Sequence, residues 1–183
     1  MRIYTDLDNV LINPVMGGRD GYSVVGIVPR PEAEWFLSKL ASYGELWLLT
    51  ASAGDHPFRG LRTISPRARD YFAGFITRED LALVEEQIQV VKNARVSREE
   101  RLELWGLIQP IAPPGPIFDD YPVGSRMFEM KATAVGIGPE DWIQVEKFDQ
   151  GMPDRQGLRK AYAEFKRRYG VGTQMAGRRE VYA

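Results

Sequence analysis

The chain has 183 residues, of which 44% are hydrophobic and 27% are charged, a balance that suits one globular domain with a substantial core. Its formal net charge of -1 gives no overall electrostatic reason to bind nucleic acid or a membrane surface. The sequence contains no cysteine, which excludes disulfides, thiolate catalysis and cysteine-based zinc sites. It contains a single histidine, which argues against histidine-based triads. No stretch reaches the roughly 20 apolar residues of a membrane span and no leader is evident, so we expect a cytoplasmic protein.

The N-terminal stretch predicts a short buried strand over residues 2–7, and two carboxylates, Asp6 and Asp8, stand where that strand ends. A second apolar run predicts another strand, which ends at Thr50. Between them, apolar residues recur at helical spacing over about 31–43, which makes this a strand–helix–strand unit. A right-handed crossover brings Thr50 toward Asp6 and Asp8.

The rest of the sequence predicts alternating strands and helices without an internal repeat. The chain is expected to break at Asn13-Pro14 before a small β-flap, to be irregular over 55–66, and to begin a helix at the capping box Ser97 to Glu100. The other predicted elements are a flap strand at 22–28, strands at 45–49, 72–77, 87–91, 117–118 and 132–137, and a last helix at 154–169.

This order of elements predicts an α/β fold, with a Rossmann-like, doubly wound and mainly parallel sheet that has helices on both faces. The flap is small, and no segment is long enough to form a large cap domain. We therefore expect one domain over 1–169 and a polar C-terminal tail over 170–183.

Polar groups gather at three predicted strand ends, which carry Asp6 and Asp8, then Thr50, then Asp119 and Asp120. In an open α/β sheet, functional groups collect at the carboxyl ends of the strands. Carboxylates this close repel one another when they are ionised and unpaired, and Mg²⁺, which prefers oxygen ligands, relieves that repulsion. A carboxylate can then attack the phosphorus of a phosphate ester, provided that a hydroxyl donor and a lysine stabilise the phosphoryl charge.

Three stretches resemble motifs of the haloacid-dehalogenase (HAD) superfamily, in the expected order. Asp6-Leu7-Asp8-Asn9-Val10-Leu11 is similar to the first motif, Leu48-Leu49-Thr50-Ala51-Ser52 to the second and Ile117-Phe118-Asp119-Asp120 to the fourth. Within the superfamily the chain is most similar to the branch of C-terminal-domain phosphatases and NLI-interacting-factor-like proteins. The segments that carry this closer similarity are 28–31, 76–80, 90–93 and 119–122. Asn9-Val10 and the second acid, Asp120, depart from that branch, and the second acid is commoner in small-molecule HAD phosphatases, including deoxynucleotidases.

The resemblance implies an Mg²⁺-dependent phosphomonoesterase that works through an aspartyl-phosphate intermediate. Asp6 would be the nucleophile, and Asp8 would be the general acid and base. The metal would be held by Asp6, the backbone carbonyl of Asp8, and Asp119 or Asp120.

The resemblance also implies that Thr50 and a lysine bind the transferred phosphate. It favours Lys92 for this role, and Lys131, which follows the acidic pair of the fourth motif, is the alternative. Asn9 and Ser52 are expected to contact the substrate.

The segment after the second motif is basic. His56 is expected to lie there in a loop, among four arginines at positions 59, 62, 67 and 69. Such a run is usually a solvated face, and the alternative is that it positions a phosphate-rich substrate.

The predicted partner is a phosphorylated substrate, which can be a nucleotide, a nucleic-acid end or a phosphopeptide; the sequence defines no oligomeric state. Two non-catalytic alternatives are a receiver-like signalling domain and a HAD-like protein that only binds a partner. Thr50 stands where a receiver domain needs its phosphoacceptor aspartate, which argues against the first. The intact pair Asp6 and Asp8 argues against the second.

Overall fold

The computed structural model describes residues 1–17, 23–148 and 156–170. The strands are β1 Arg2–Thr5, β2 Ile12–Gly17, β3 Ser23–Pro29, β4 Glu45–Leu49, β5 Phe72–Ile76, β6 Ile117–Asp119 and β7 Trp142–Gln144. The helices are α1 Ala33–Ala41, α2 His56–Ile64, α3 Arg78–Asn93, α4 Arg98–Gly106, α5 Arg126–Val135 and α6 Gly157–Tyr169. Short 3-10 turns lie at Ala68–Tyr71 and Pro139–Asp141.

A five-stranded parallel sheet forms the centre of the molecule, in the order β5-β4-β1-β6-β7. The chain builds the sheet outward from β1, first through β4 to β5 and then on the other side through β6 to β7. The order of the strands therefore reverses at β1, and a crevice forms at the carboxyl ends of strands on either side of such a point. The predicted doubly wound α/β fold is confirmed.

Each face of the sheet carries its own apolar core. Ile3 of β1 belongs to the core under α1, α2 and α6, whereas Tyr4, the next residue, belongs to the core under α3 and α5. Phe118 of β6 has its ring centroid 5.1 Å from that of Phe36 in α1 and 5.6 Å from that of Phe165 in α6. This alternation of side chains between two helical layers holds β1 and β6 rigidly at the centre.

The flap is a two-stranded antiparallel sheet of β2 and β3. The predicted break at Asn13-Pro14 is wrong, because both residues lie in β2. Proline is tolerated there since each strand of a two-stranded sheet has a free edge. The Asn13 side-chain amide donates to the carbonyl of Phe148 at 2.8 Å and fixes the base of the flap to the sheet domain. No larger cap is present in the described parts of the chain.

The predicted strand at 87–91 is wrong, because this segment lies inside α3. Polar and apolar residues alternate over the first four of these positions and imitate a strand. Over the longer window the buried residues Leu81, Val84 and Ile88 recur at helical spacing, and a capping box at Thr77 starts the helix.

The predicted strand at 132–137 is also wrong, because α5 extends through Val135. The Ser125 side chain caps the start of this helix by accepting a hydrogen bond from the Phe128 amide, and Gly136 ends it with a φ of 64°. The last strand of the sheet is instead β7, which the sequence pattern did not reveal.

The segment 55–66, predicted to be irregular, contains α2. Pro57 lies in the first turn of this helix, where a missing amide proton costs little. The terminal helix is confirmed from Gly157 onward, while residues 154–155 and most of the predicted tail (171–183) lie outside the described residues.

Candidate active site

The strand ends that were predicted to carry functional groups do meet. The Asp6 amide donates to the carbonyl of Phe118 at 2.8 Å, which places Asp6 beside β6 directly after β1. The Thr50 amide donates in the same way to the carbonyl of Ile76 at the end of β5, at 2.9 Å. The carboxyl ends of four adjacent parallel strands thus form one edge of the sheet.

A buried lysine from α5 lies between two of the acids at this edge. The Lys131 ammonium nitrogen is 3.0 Å from Oδ2 of Asp6 and donates a hydrogen bond to Oδ2 of Asp119 at 2.5 Å. Lys131 and Asp119 are completely buried, and Asp6 is 4% exposed. A lysine at such depth needs carboxylate partners, because an unpaired buried charge is very costly.

A third acid completes a cluster that could hold a cation. One carboxylate oxygen each from Asp6, Asp119 and Asp120 lies within 4.8 Å of the others. Oδ1 of Asp119 accepts the Tyr121 amide at 2.9 Å. In contrast, Oδ1 of Asp6 and Oδ1 of Asp120 are buried and accept no hydrogen bond from the described residues. Buried carboxylate oxygens without donors are the ligands that Mg²⁺ prefers, so these residues fit a magnesium ion.

The electrostatics of the cluster also favour a cation. Burial raises the pKa of Asp119 to about 7 and that of Asp120 to about 6, although Lys131 opposes both shifts. Burial likewise raises the pKa of Asp6. Burial alone would lower the pKa of Lys131, but the carboxylates of Asp6 and Asp119 outweigh burial and raise it. Three carboxylates and one ammonium leave two negative charges when all are ionised, and a divalent cation would balance them.

Asp8 lies outside this cluster and has its own partners. Its Oδ1 is 2.8 Å from Nε2 of His56, and its Oδ2 accepts a short hydrogen bond from the Ser52 hydroxyl. The hydrogen bond to Asp8 raises the pKa of His56. The sequence prediction of a loop at His56 missed this contact, although Pro57 gave a signal for a helix start there.

Lys92, which was favoured as the phosphate-binding lysine, does not lie in the site. It stands in the last turn of α3, its side chain is 41% exposed, and it forms an ion pair with Glu129. Glu129 and Lys131 are two positions apart on α5 and so point to different sides of that helix. The lysine beside the acids is therefore Lys131, the alternative that the sequence left open.

The remaining predicted residues line a cavity of about 250 Å³ beside the cluster. Its lining residues are Asp6, Asp8, Asn9, Thr50, Ala51, Ser52, Tyr121, Met127 and Lys131. The Thr50 hydroxyl oxygen accepts the Ser52 amide at 3.2 Å, and the Asn9 side chain is hydrogen-bonded to Asp120. Asn9 has a φ of 61°, a left-handed conformation that asparagine adopts more readily than most residues.

The described part of the chain contains no helix that is both long enough and apolar enough to cross a membrane.

The fold and the site define an α/β protein with a buried acidic centre at the switch point of its sheet. No model of a known protein family matches the sequence, and no curated protein matches it. A solved structure that resembles this one belongs to a protein of Thermotoga maritima assigned as a beta-phosphoglucomutase. The two chains are 14% identical, with a TM-score of 0.46 over 87% of this chain and 90% of the other.

Proposed function

We propose that the protein is an Mg²⁺-dependent phosphomonoesterase of the HAD type, which works through an aspartyl-phosphate on Asp6. One observation carries the proposal. At the end of the central strand, Lys131 pairs with Asp6 and Asp119 while Asp6 and Asp120 each retain a buried carboxylate oxygen without a donor. A phosphoryl-transfer site needs this combination of a nucleophile, a cation and oxygen ligands for a metal.

The metal would be held by the unpartnered oxygens of Asp6 and Asp120, together with the backbone carbonyl of Asp8. Asp119 lies within reach, but both of its oxygens already accept hydrogen bonds, from Lys131 and from the Tyr121 amide. We therefore assign Asp119 chiefly to holding Lys131 in place. When bound, Mg²⁺ supplies Lewis-acid polarisation of a phosphoryl oxygen.

In the proposed reaction, a carboxylate oxygen of Asp6 attacks phosphorus, and the bond from phosphorus to the alcohol oxygen breaks. Asp8 gives a proton to the departing oxygen. Asp8 then removes a proton from a water molecule, which attacks the aspartyl-phosphate and releases inorganic phosphate. Lys131 and the Thr50 hydroxyl stabilise the charge on the phosphoryl group in both steps.

The substrate is proposed to be a nucleotide, a nucleic-acid end or a phosphopeptide. The resemblance to the C-terminal-domain phosphatase branch and to deoxynucleotidases supports this range. The absence of a large cap over the described site favours it too, because an open site admits an extended ester.

Hydrolysis of p-nitrophenyl phosphate tests the proposed function. We expect turnover in the presence of Mg²⁺, loss of turnover when EDTA is added, and recovery when Mg²⁺ is restored. The reason is that two buried carboxylate oxygens accept no hydrogen bond from the described residues and are suited to bind Mg²⁺. The release of p-nitrophenol is followed by its absorbance. A protein that is folded and loaded with Mg²⁺ but hydrolyses no phosphate ester in a broad panel would contradict the proposal.

His56 is expected to act as a positioning residue for Asp8. Together with Ser52 it holds both oxygens of the Asp8 carboxyl group. We expect His56→Ala to lower the rate of the first turnover, which forms the aspartyl-phosphate, about tenfold for phenyl phosphate and much less for p-nitrophenyl phosphate, because p-nitrophenolate departs without needing a proton. The release of phenol and of p-nitrophenolate during the first turnover, followed after rapid mixing, measures the difference.

Thr63→Ala is the matched control for His56→Ala, since Thr63 lies on the same helix and donates to the Gly60 carbonyl instead of contacting Asp8. It should leave the first-turnover rate for both esters unchanged. An equal loss of first-turnover rate with the two esters in His56→Ala would show that His56 supports the fold and not the proton transfer to the departing oxygen.

A further inference from the structure

We infer that the substrate carries a second phosphate group on its alcohol part, and that Arg59 and Arg78 bind this group. The inference rests on the proposed phosphomonoesterase function and names the class of its substrate. That class is an ester with two phosphates separated by a body of about nucleoside size that has an apolar face.

A second cavity, of about 560 Å³, continues outward from the site. It shares Asp8, Ala51 and Ser52 with the cavity beside the acidic cluster, so the two spaces meet at Asp8. Its volume falls in the range of sites that hold small organic ligands. The space is thus large enough for an organic group of about nucleoside size next to the reacting phosphate.

The position of this cavity identifies which part of a substrate it would hold. The proposed general acid, Asp8, must lie against the oxygen that leaves. The alcohol part of the ester therefore extends past Asp8, whereas the phosphoryl group lies on the side of Asp6 and Lys131. The cavity past Asp8 is the one that Arg59 and Arg78 line.

The two arginines are available to bind an anion. Within residues 1–17, 23–148 and 156–170, neither guanidinium group forms an ion pair or a side-chain hydrogen bond. The acids beside Arg78 in the sequence, Glu79 and Asp80, instead accept hydrogen bonds from Thr77 at the start of α3. Other arginines do pair with glutamates: Arg2, Arg126, Arg159, Arg167 and Arg168.

The flap contributes an apolar part of the cavity lining. Pro14 and Met16 of β2 and Val24 of β3 line it, and Met16 is 51% exposed. A ligand that fits this lining has an apolar face for the flap residues and an anion for the arginines. Phosphate suits the arginines best, because two guanidinium groups match its charge and its several acceptor oxygens.

Matched nucleotides test the inference. We expect the wild-type protein, with Mg²⁺, to hydrolyse adenosine 3′,5′-bisphosphate with a kcat/KM about 100-fold above that of adenosine 3′-monophosphate or 5′-monophosphate, because each arginine adds a charge-assisted contact. Arg59→Ala and Arg78→Ala should each lower this ratio about tenfold. Raising the salt concentration should lower it as well, since the arginines are exposed to solvent.

Arg62→Ala provides the control, because Arg62 is exposed on the same helix as Arg59 but does not line the cavity. It should leave the ratio unchanged.

A dinucleotide with a 3′-terminal phosphate is a further substrate for this test, and its second anion is a phosphodiester. A preference for the dinucleotide over the free bisphosphate identifies a nucleic-acid end as the source, and the reverse identifies a free bisphosphate; either result supports the inference.

Three results would contradict the inference or the proposed function, and they are distinguishable from one another. Equal kcat/KM values for the bisphosphate and both monophosphates, with turnover that Asp6→Asn abolishes, would refute the second-phosphate site and leave the phosphomonoesterase intact. A ratio that falls equally in Arg59→Ala and in Arg62→Ala would show a general effect of surface charge. No turnover of any ester would refute the proposed function itself.

Discussion

Replacing Asp6 by asparagine is expected to lower kcat for every phosphate ester by about 10⁴-fold or more. Asparagine has nearly the same shape as aspartate, and the backbone contact from residue 6 to Phe118 does not involve the side chain. The substitution removes the carboxylate that we propose as the nucleophile, and an amide cannot form an acyl phosphate. Stopped and continuous assays with p-nitrophenyl phosphate at saturating Mg²⁺ measure the loss.

Asp70→Asn is the matched control, because Asp70 is an exposed aspartate in the short turn before β5. It should retain the full kcat. Residual activity of Asp6→Asn within about tenfold of the wild type would mean that another group attacks phosphorus, and the proposed mechanism would be wrong.

Replacing Lys131 by methionine is expected to have the second largest effect, a loss of about 10³-fold in kcat together with lower stability. The ammonium group is buried between Asp6 and Asp119, and its removal leaves two buried carboxylates without a cation. Breaking a buried pair of this kind costs about 3–5 kcal/mol in the free energy of unfolding. Urea unfolding measures the stability, and kcat is measured at a temperature where the variant is folded.

Lys92→Met is the comparison that decides between the two lysines, since it makes the same change at the residue that the sequence favoured. Lys92 is partly exposed and pairs with Glu129, so its loss should cost at most about 1 kcal/mol in stability and leave kcat within about twofold. The opposite result, a large loss of kcat in Lys92→Met and none in Lys131→Met, would contradict the arrangement of the site.

The strand ends were predictable because their signals are local. The apolar runs before Asp6, Thr50 and Asp119 each specify a short buried strand, and parallel strands necessarily place their carboxyl ends at one edge of the sheet. The resemblance to HAD motifs covers these same three segments. The structure confirms that these segments meet, and the chemical roles of the residues remain predictions.

The lysine was not predictable from the same kind of signal. Lys131 reaches the acids only because 126–135 is a helix that packs over the end of β6. The sequence pattern indicates a strand at 132–137 and therefore did not predict that helix. The contact between His56 and Asp8 was not predictable for the same reason, because the sequence pattern over 55–66 indicates irregular chain where α2 lies. Contacts that depend on how a helix packs on the sheet do not appear in a short window of sequence.

A covalent intermediate on Asp6 is the central claim, and Asp8→Asn with p-nitrophenyl phosphate tests it most directly. This ester needs no acid to release its alcohol, whereas the second step needs Asp8 to activate water. We predict a rapid release of one p-nitrophenolate per protein molecule, then slow turnover, with a phosphoryl group that mass spectrometry of the acid-quenched protein locates on Asp6. Continued turnover without a phosphorylated protein, or a phosphoryl group on a different residue, would contradict the account.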